Sequence, residues 1–424
     1  MFKYMPRIYD DLLEFKLRAT GAVCIKGPKW CGKSTTAKQF AKSAVFMQDT
    51  TSLEQNISLA KVNPAKFLEG DTPKLIDEWQ VIPFIWDAIR FEIDQRNQFN
   101  QFILTGSSVP PDSEKIMHSG IGRITNLVMR PMSLYESSDS TGEVSLGELF
   151  INPSKIEGSS NKKMEDIFFL ICRGGWPKAI NQEPDIALAQ SIQFYEMLVQ
   201  SDMSKVDGVT RTPERVNSLL RSLSRNIGTA STISNIRKDM EQHAEPAVLN
   251  VDTISSYIDV LKKLYVIEDL QAWNPNLRSS TAIRTTPTRF FVDPSIATAA
   301  LQIGPNDLIN DLRTAGLFFE AMCIRDLRIY AEHLKGTVYH FRDANGLEID
   351  SVVHLKNGNY GLIEIKLFDS ARIEEGVKNL KKLESLINSS TMKRPSFLMV
   401  LTGTQYAYKR EDGVFIVPIT CLKY

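Results

Sequence analysis

A modular α/β fold is what this 424-residue sequence predicts, and three observations carry the prediction. A short apolar run, Ala22-Val23-Cys24-Ile25, leads into a glycine-bearing loop and then a helix-like stretch from Thr35 to Lys42. Through the middle of the chain, apolar residues recur at helical spacing. From Leu317 to Val400, alternating strands are separated by two Asn-Gly turns, Asn345-Gly346 and Asn357-Gly358, a strong hairpin signal. The length suits about three domains of ~100–150 residues. The pattern changes place boundaries at 1–163, 164–205, 206–305 and 306–424.

The first element is set by Gly27-Pro28-Lys29-Trp30-Cys31-Gly32-Lys33-Ser34, which fits the pattern G-x-x-x-x-G-K-[ST] between a strand and a helix. Glycines let backbone N–H groups curl around phosphate oxygens, and the helix N-terminus adds its positive end. Lys33 is expected to reach the β- and γ-phosphates and Ser34 to ligate Mg²⁺. Gly27 through Thr35 therefore read as nucleotide-binding, with ATP and Mg²⁺ as cofactors.

Lys74-Leu75-Ile76-Asp77-Glu78 reads as a strand ending in two carboxylates, followed by a helix from about Pro83 to Asp94. Asp77 is expected to hold Mg²⁺ through water, and Glu78 to activate the attacking water. Phe102 to Ser108 is a buried strand delivering hydroxyls at its carboxyl end, where ligand chemistry in open α/β sheets collects. Thr105 or Ser107 would sense the γ-phosphate or the lytic water, a helix N-cap being the alternative. Arg123 is the first choice, and Arg130 the second, for an arginine reaching a neighbouring subunit's γ-phosphate. Either also suits a surface salt bridge. A trans arginine implies a homo-oligomer. In Cys172-Arg173-Gly174-Gly175-Trp176-Pro177, a rigid Trp-Pro suits packing on a purine, with Pro177 at the base; a plain turn between helices is the other reading.

These landmarks resemble the AAA-type branch of P-loop ATPases. The Gly-Gly-x-Pro element resembles the helical lid of its archaeal-type members. "LIDEWQ", "LTGSS", "GRI", "MRPMSLYES" and "RGGWP" resemble a largely uncharacterised group of bacterial and archaeal ATP-binding proteins. The resemblance implies a P-loop NTPase parallel sheet with a lid, joined to a C-terminal region of unknown function.

Residues 137–163 are rich in Ser, Gly, Asn and charge, and read as an exposed connection. Helical patterns follow from Met164 to Leu198, then around Val216–Leu223, Ile233–Ile236 and Ile254–Leu264. Strand-like Tyr265–Leu270 and Arg289–Val292 come next. Three helices and a hairpin are the order of a winged helix-turn-helix. On DNA, Thr253, Ser255 and Ser256 would face the groove, with Arg278, Arg284 and Arg289 on phosphates; a protein-interaction module is the alternative.

In the last region Glu348-Ile349-Asp350 and Ile363-Glu364-Ile365-Lys366 lie on neighbouring strands, so a hairpin brings Asp350, Glu364 and Lys366 together. Glu320, on the preceding helix, can point at the same spot. Carboxylates on apolar faces are costly unless they bind a metal or a partner. The pattern resembles the restriction-endonuclease-like superfamily, with Ile349 where a proline often stands. The resemblance implies Mg²⁺ on Asp350 and Glu364, Glu320 completing the metal shell, Lys366 positioning water and Arg342 on the scissile phosphate. An inert salt-bridge triad is the plain alternative.

Fifty basic and fifty acidic residues give no net charge, so DNA contact rests on local patches. Five scattered cysteines without a C-x-x-C pair argue for reduced thiols in a cytoplasm. No apolar run is long enough to cross a membrane, and the N-terminal residues lack a signal-peptide core. The expected protein is an ATPase driving a nuclease-like domain on DNA. Its rival is an ATP-dependent switch or scaffold with a protein partner and a non-catalytic nuclease fold.

Overall fold

Ala22 to Ile25 are small or apolar and fully buried, which suits only a strand covered on both faces. The structure is a computed structural model describing residues 4–107, 120–153, 156–203, 209, 211–275 and 283–424. It forms two compact units. The first holds Met1–Pro131, Gln200–Arg211 and Tyr257–Val266; the second holds Met132–Val199, Thr212–Ser256 and Ile267–Tyr424.

In the first unit, α1 (Ile8–Ala19), β1 (Ala22–Lys26), α2 (Lys33–Phe40), β2 (Ser43–Phe46), α3 (Leu53–Val62) and α4 (Pro64–Leu68) are followed by β3 (Lys74–Asp77), α5 (Ile85–Arg96), β4 (Phe102–Gly106) and β5 (Ile124–Val128). The strands form one sheet in the order β2-β3-β4-β1-β5, and every pairing is parallel. Asp77 pairs with Thr105, and Lys26 with Gly106. Register thus sets the loop after β1, the carboxylates after β3 and the hydroxyls after β4 side by side at one edge. Ile85, Trp86, Ile89 and Ile93 make the apolar stripe of α5, which joins Ile76, Phe102 and Leu104 in the core. Ser108, expected to end the β4 strand, lies outside the described residues.

The second unit begins with β6 (Val144–Ser145), α6 (Leu146–Ile151) and β7 (Gly158–Ser159). Helices α7 (Met164–Arg173), α8 (Pro184–Met197), α9 (Pro213–Arg225) and α10 (Ile233–Gln242) follow, then α11 (Val251–Lys263), which starts in this unit and ends in the other. Next come the antiparallel pair β8 (Ile267–Leu270) and β9 (Thr288–Phe291), and helices α12 (Pro294–Leu301), α13 (Pro305–Asn310) and α14 (Leu312–His333). The chain closes with β10 (Gly336–Arg342), β11 (Glu348–Leu355), β12 (Tyr360–Lys366), α15 (Ser370–Leu386), β13 (Phe397–Thr402), β14 (Tyr406–Lys409), β15 (Phe415–Pro418) and β16 (Leu422–Lys423). Seven strands form a mixed sheet in the order β10-β11-β12-β13-β15-β14-β7. Val352, Leu362, Leu398 and Val400 on one face pack against Val377, Leu380 and Leu383 of α15.

Residues 137–163 correct the expectation of an exposed connection. Here β7 pairs with β14, and β6 with β16. Ser140 donates its hydroxyl to the Leu422 carbonyl at 2.7 Å, and Leu146 and Leu149 are buried. The segment pairs through its backbone, which needs no apolar alternation, so side-chain pattern does not reveal it.

Candidate functional site

The loop between β1 and α2 takes the form its motif requires. Gly32 caps α2 with a φ of 101°, and the Lys33 side chain is nearly buried. Its Nζ donates to the carbonyls of Gly27 (3.0 Å) and Pro28 (2.7 Å), so the ammonium lies inside its own loop. Pro28 and Cys31 are buried, Lys29, Trp30 and Ser34 half-buried, and Thr35 exposed in the first turn of α2. Sequence reading missed Arg7. Its guanidinium donates from Nη1 to the Cys31 carbonyl (2.8 Å) and from Nη2 to the Arg130 carbonyl (2.9 Å). Nothing in the pattern marks an arginine that acts through backbone carbonyls.

Beside the loop the carboxylate and hydroxyl motifs interlock. Asp77, fully buried, accepts from Thr105 Oγ1 (2.5 Å) and from Gln48 Nε2 (2.9 Å). Thr105 Oγ1 also accepts from the Glu78 backbone N–H at 3.3 Å. Thr105 therefore ties the two acidic residues together. Ser107 Oγ donates to Glu78 Oε2 at 3.3 Å, and Gln80 Nε2 donates to the same oxygen. Glu78 holds the left-handed conformation, with φ 58°.

Two expected nucleotide contacts find other partners. Arg123 precedes β5, and its carbonyl accepts from Ala22 at the amino-terminal end of the sheet. At ~3.3 Å per residue, that is roughly 16 Å from the end bearing the loop. Its Nε pairs with Asp94 at 2.8 Å, so the surface salt-bridge reading is the one the structure forms. Arg130 follows β5 at the loop's end of the sheet. In the second unit, Trp176 is buried, stacks on Phe194 (4.2 Å between centroids) and donates to Ser295 Oγ at 2.9 Å. The ring is thus taken up by the core, and Pro177 beside it is half-buried. A Cβ on Gly175 would lie 2.1 Å from the Met132 carbonyl oxygen, so close backbone packing accounts for this glycine.

In the C-terminal sheet, the ladder from His354↔Tyr360 to Ser351↔Ile363 places Asp350 and Glu364 at the next step. Lys366 Nζ sits 2.8 Å from Asp350 and 2.5 Å from Glu364. Asp350 Oδ2 also accepts the Ile365 N–H at 2.7 Å. Burial, and then the Asp350 carboxylate, push Glu364 well above the usual carboxylate range, with Lys366 opposing. Glu320 of α14 is raised by the same two causes, so it too lies by this cluster. Burial alone would lower Lys366, but Asp350 and Glu364 outweigh it and hold the ammonium above its ordinary value.

Glu320, Asp350 and Glu364 were expected to hold Mg²⁺. Among the described residues, no group of three or more His, Cys, Asp or Glu side chains is arranged to hold a metal ion. The lysine ammonium stands where a cation would balance the two strand carboxylates. Arg342, expected on a phosphate, pairs with Glu348 at 2.5 Å. Arg289 likewise faces its cross-strand neighbour Asp269 at 3.4 Å. Arg278 lies outside the described residues.

A second buried cluster was invisible to motif reading. Arg325 of α14 is bound to Asp293 (2.8 Å) and Asp326 (2.7 Å), all three with side chains 1% exposed or less. The carboxylates also accept backbone N–H groups, Asp293 from Gly175 (2.9 Å) and Asp326 from Leu134 (2.9 Å).

Residues 19–138 match a family model described as an AAA domain. Two models described as domains of unknown function follow, DUF8612 over 164–307 and DUF4143 over 315–422. The chain is an AAA-type ATP-binding protein, a P-loop domain followed by two domains of unknown function. No curated protein matches it. Among solved structures, the Aeropyrum pernix ORC2 protein in ADPNP–ADP complexes is similar at a TM-score of 0.37 and 12% identity, covering 73% of this chain and 98% of that one. AMPPCP-bound DnaA from Aquifex aeolicus gives 0.28 and 10%, covering 62% and 89%. A Thermotoga maritima RuvB variant gives 0.24 and 14%, covering 62% and 86%. Among the described residues no helix is long and apolar enough to cross a membrane.

Proposed function

We propose that the first unit hydrolyses ATP and that the protein is a nucleotide-driven switch. The observation that carries this reading is the interlock at one sheet edge, where Thr105 binds Asp77 and Ser107 binds Glu78 beside the phosphate loop. Ser34 and Asp77 offer the hard oxygen donors that Mg²⁺ prefers. When bound, the ion would neutralise charge that develops on the phosphates. Lys33 exchanges its two loop carbonyls for phosphate oxygens, and Glu78 accepts a proton from the attacking water. The test is turnover and fluorescent-nucleotide binding for the wild type, Lys33→Ala and Glu78→Gln. Lys33→Ala should lose binding. Glu78→Gln should keep binding and lose about 10²–10⁴-fold in rate, the usual share of general-base catalysis. Full turnover in both would refute the reading. Self-association enters only if an arginine acts in trans, and Arg123→Ala assayed at high protein concentration tests that.

A second reading makes the C-terminal unit a metal-dependent nuclease acting on DNA. It is favoured by one observation: burial first, and then the Asp350 carboxylate, raise the proton affinity of both Glu320 and Glu364. The lysine-neutralised geometry favours instead a non-catalytic fold serving the switch. Cleavage of supercoiled, linear and branched DNA with Mg²⁺ or Mn²⁺, with and without ATP, separates them. Cutting lost in Asp350→Ala establishes the nuclease; intact ATPase without cutting on any substrate leaves the switch.

A further inference from the structure

We infer that Gln80, with Ser107, is a positioning residue that aims the Glu78 carboxylate at the lytic water; this rests on the hydrolytic reading above. Both side chains donate to the same oxygen, Oε2 of Glu78. Among the described residues, that leaves Oε1 as the oxygen open to water. With one oxygen fixed by two donors from different elements, the carboxylate is no longer free to rotate. A base held in place pays less reorganisation at the moment of reaction.

The orientation of the Gln80 amide follows from charge. Reversing it would set a carbonyl oxygen against a carboxylate. As placed, Gln80 Oε1 is a buried acceptor with no hydrogen-bond partner. An unpaired buried acceptor is unfavourable, so the amide is held there by the Glu78 contact. Gly106 completes the arrangement. A Cβ at that position would stand 2.8 Å from Gln80 Oε1 and 3.1 Å from the Trp79 indole nitrogen. Three consecutive residues of β4 and its exit therefore serve three successive needs: Thr105 holds Asp77, Gly106 makes room for Gln80, and Ser107 holds Glu78.

In the reaction, the water oxygen bonds to the γ-phosphorus as the bond to the β–γ bridging oxygen breaks. ADP leaves with that electron pair, and the water's proton passes to Glu78 Oε1. Gln80 exchanges no proton.

The experiment compares the full-length wild type, Gln80→Ala, Gln80→Glu, Ser107→Ala and Gly106→Ala with Glu78→Gln. It measures kcat, KM for ATP, fluorescent-nucleotide affinity and thermal midpoint. Gln80→Glu keeps the shape but replaces the donor with a second carboxylate. Displacing a positioned group by about 1 Å lowers rate by up to ~10²-fold. The two Gln80 variants and Gly106→Ala should therefore lose about tenfold or more in kcat, with KM and affinity within about twofold. A smaller loss is expected for Ser107→Ala, whose contact is long. A purely structural role would lower the thermal midpoint and affinity without splitting kcat from KM, and would overturn the inference. So would wild-type kcat in both Gln80 variants while Glu78→Gln is inactive. If Glu78→Gln itself turns over normally, the hydrolytic reading fails instead.

Discussion

Replacing Arg325 with Met isolates what the buried cluster of the second unit contributes. Met fills much the same volume but strands two carboxylates that are fully buried. Removing one partner of a buried ion pair costs about 3–5 kcal/mol, because the remaining charge has neither water nor a counter-ion. At about 2 °C per kcal/mol for a large domain, the thermal midpoint of the second unit should fall by roughly 8 °C. The pH dependence gives a sharper test. Burial first, partly offset by Arg325 and the Leu134 N–H, raises Asp326 to about 6. A carboxyl raised in the folded state contributes stability below its unfolded value of about 3.9, which is lost as pH rises through the folded value. Without Arg325 the folded value climbs further, so the loss extends above pH 7. Calorimetry on both proteins from pH 5 to pH 8 should show a penalty that grows with pH. A penalty under about 1 kcal/mol, or one that grows on acidification, would refute the reasoning.

Three other outcomes are expected. Gly175→Ala, whose Cβ would meet the Met132 backbone at 2.1 Å, should destabilise by about 3 kcal/mol, read by urea unfolding; a neutral effect would mean the loop yields. Burial lowers His340 and His354 below their ordinary value, so their stabilising contribution is present above about pH 6.5 and is lost on acidification; His354→Asn should flatten that slope. Glu364→Gln removes a carboxyl whose ionised form is disfavoured but leaves Lys366 on Asp350, so stability above neutral pH should rise or hold, measured by urea midpoints.

How much of this was legible in the sequence depended on whether local chemistry or distant partners decide. Phosphate binding demands glycines and a lysine at fixed spacing, so Gly27 to Ser34 could be read directly. The Asp77–Glu78 pair and the β4 strand followed from apolar runs ending in polar residues. Strands β10 to β13 were visible through their turns and alternation. The ion pair of Arg123 with Asp94 was not legible, because Asp94 lies on another element, outside any motif. Trp176 suited a purine only until Phe194 and Ser295 closed on it. In the same way, Arg325 and Asp326 look like ordinary helix residues until α14 is packed.

The strands at 144–145 and 158–159 have a consequence for how the protein is made and how it can be altered. Leu422 needs Val144 as its neighbour, and Tyr406 needs Ser159. On the ribosome, β6 and β7 emerge long before their partners β16 and β14 exist, so both must wait unpaired while more than 200 residues are made. Contacts so distant along the chain slow folding and leave edges open to wrong partners meanwhile. For the same reason residues 306–424 are not a cassette. Grafted onto another protein, they would arrive without β6 and β7 and present a bare edge at β14.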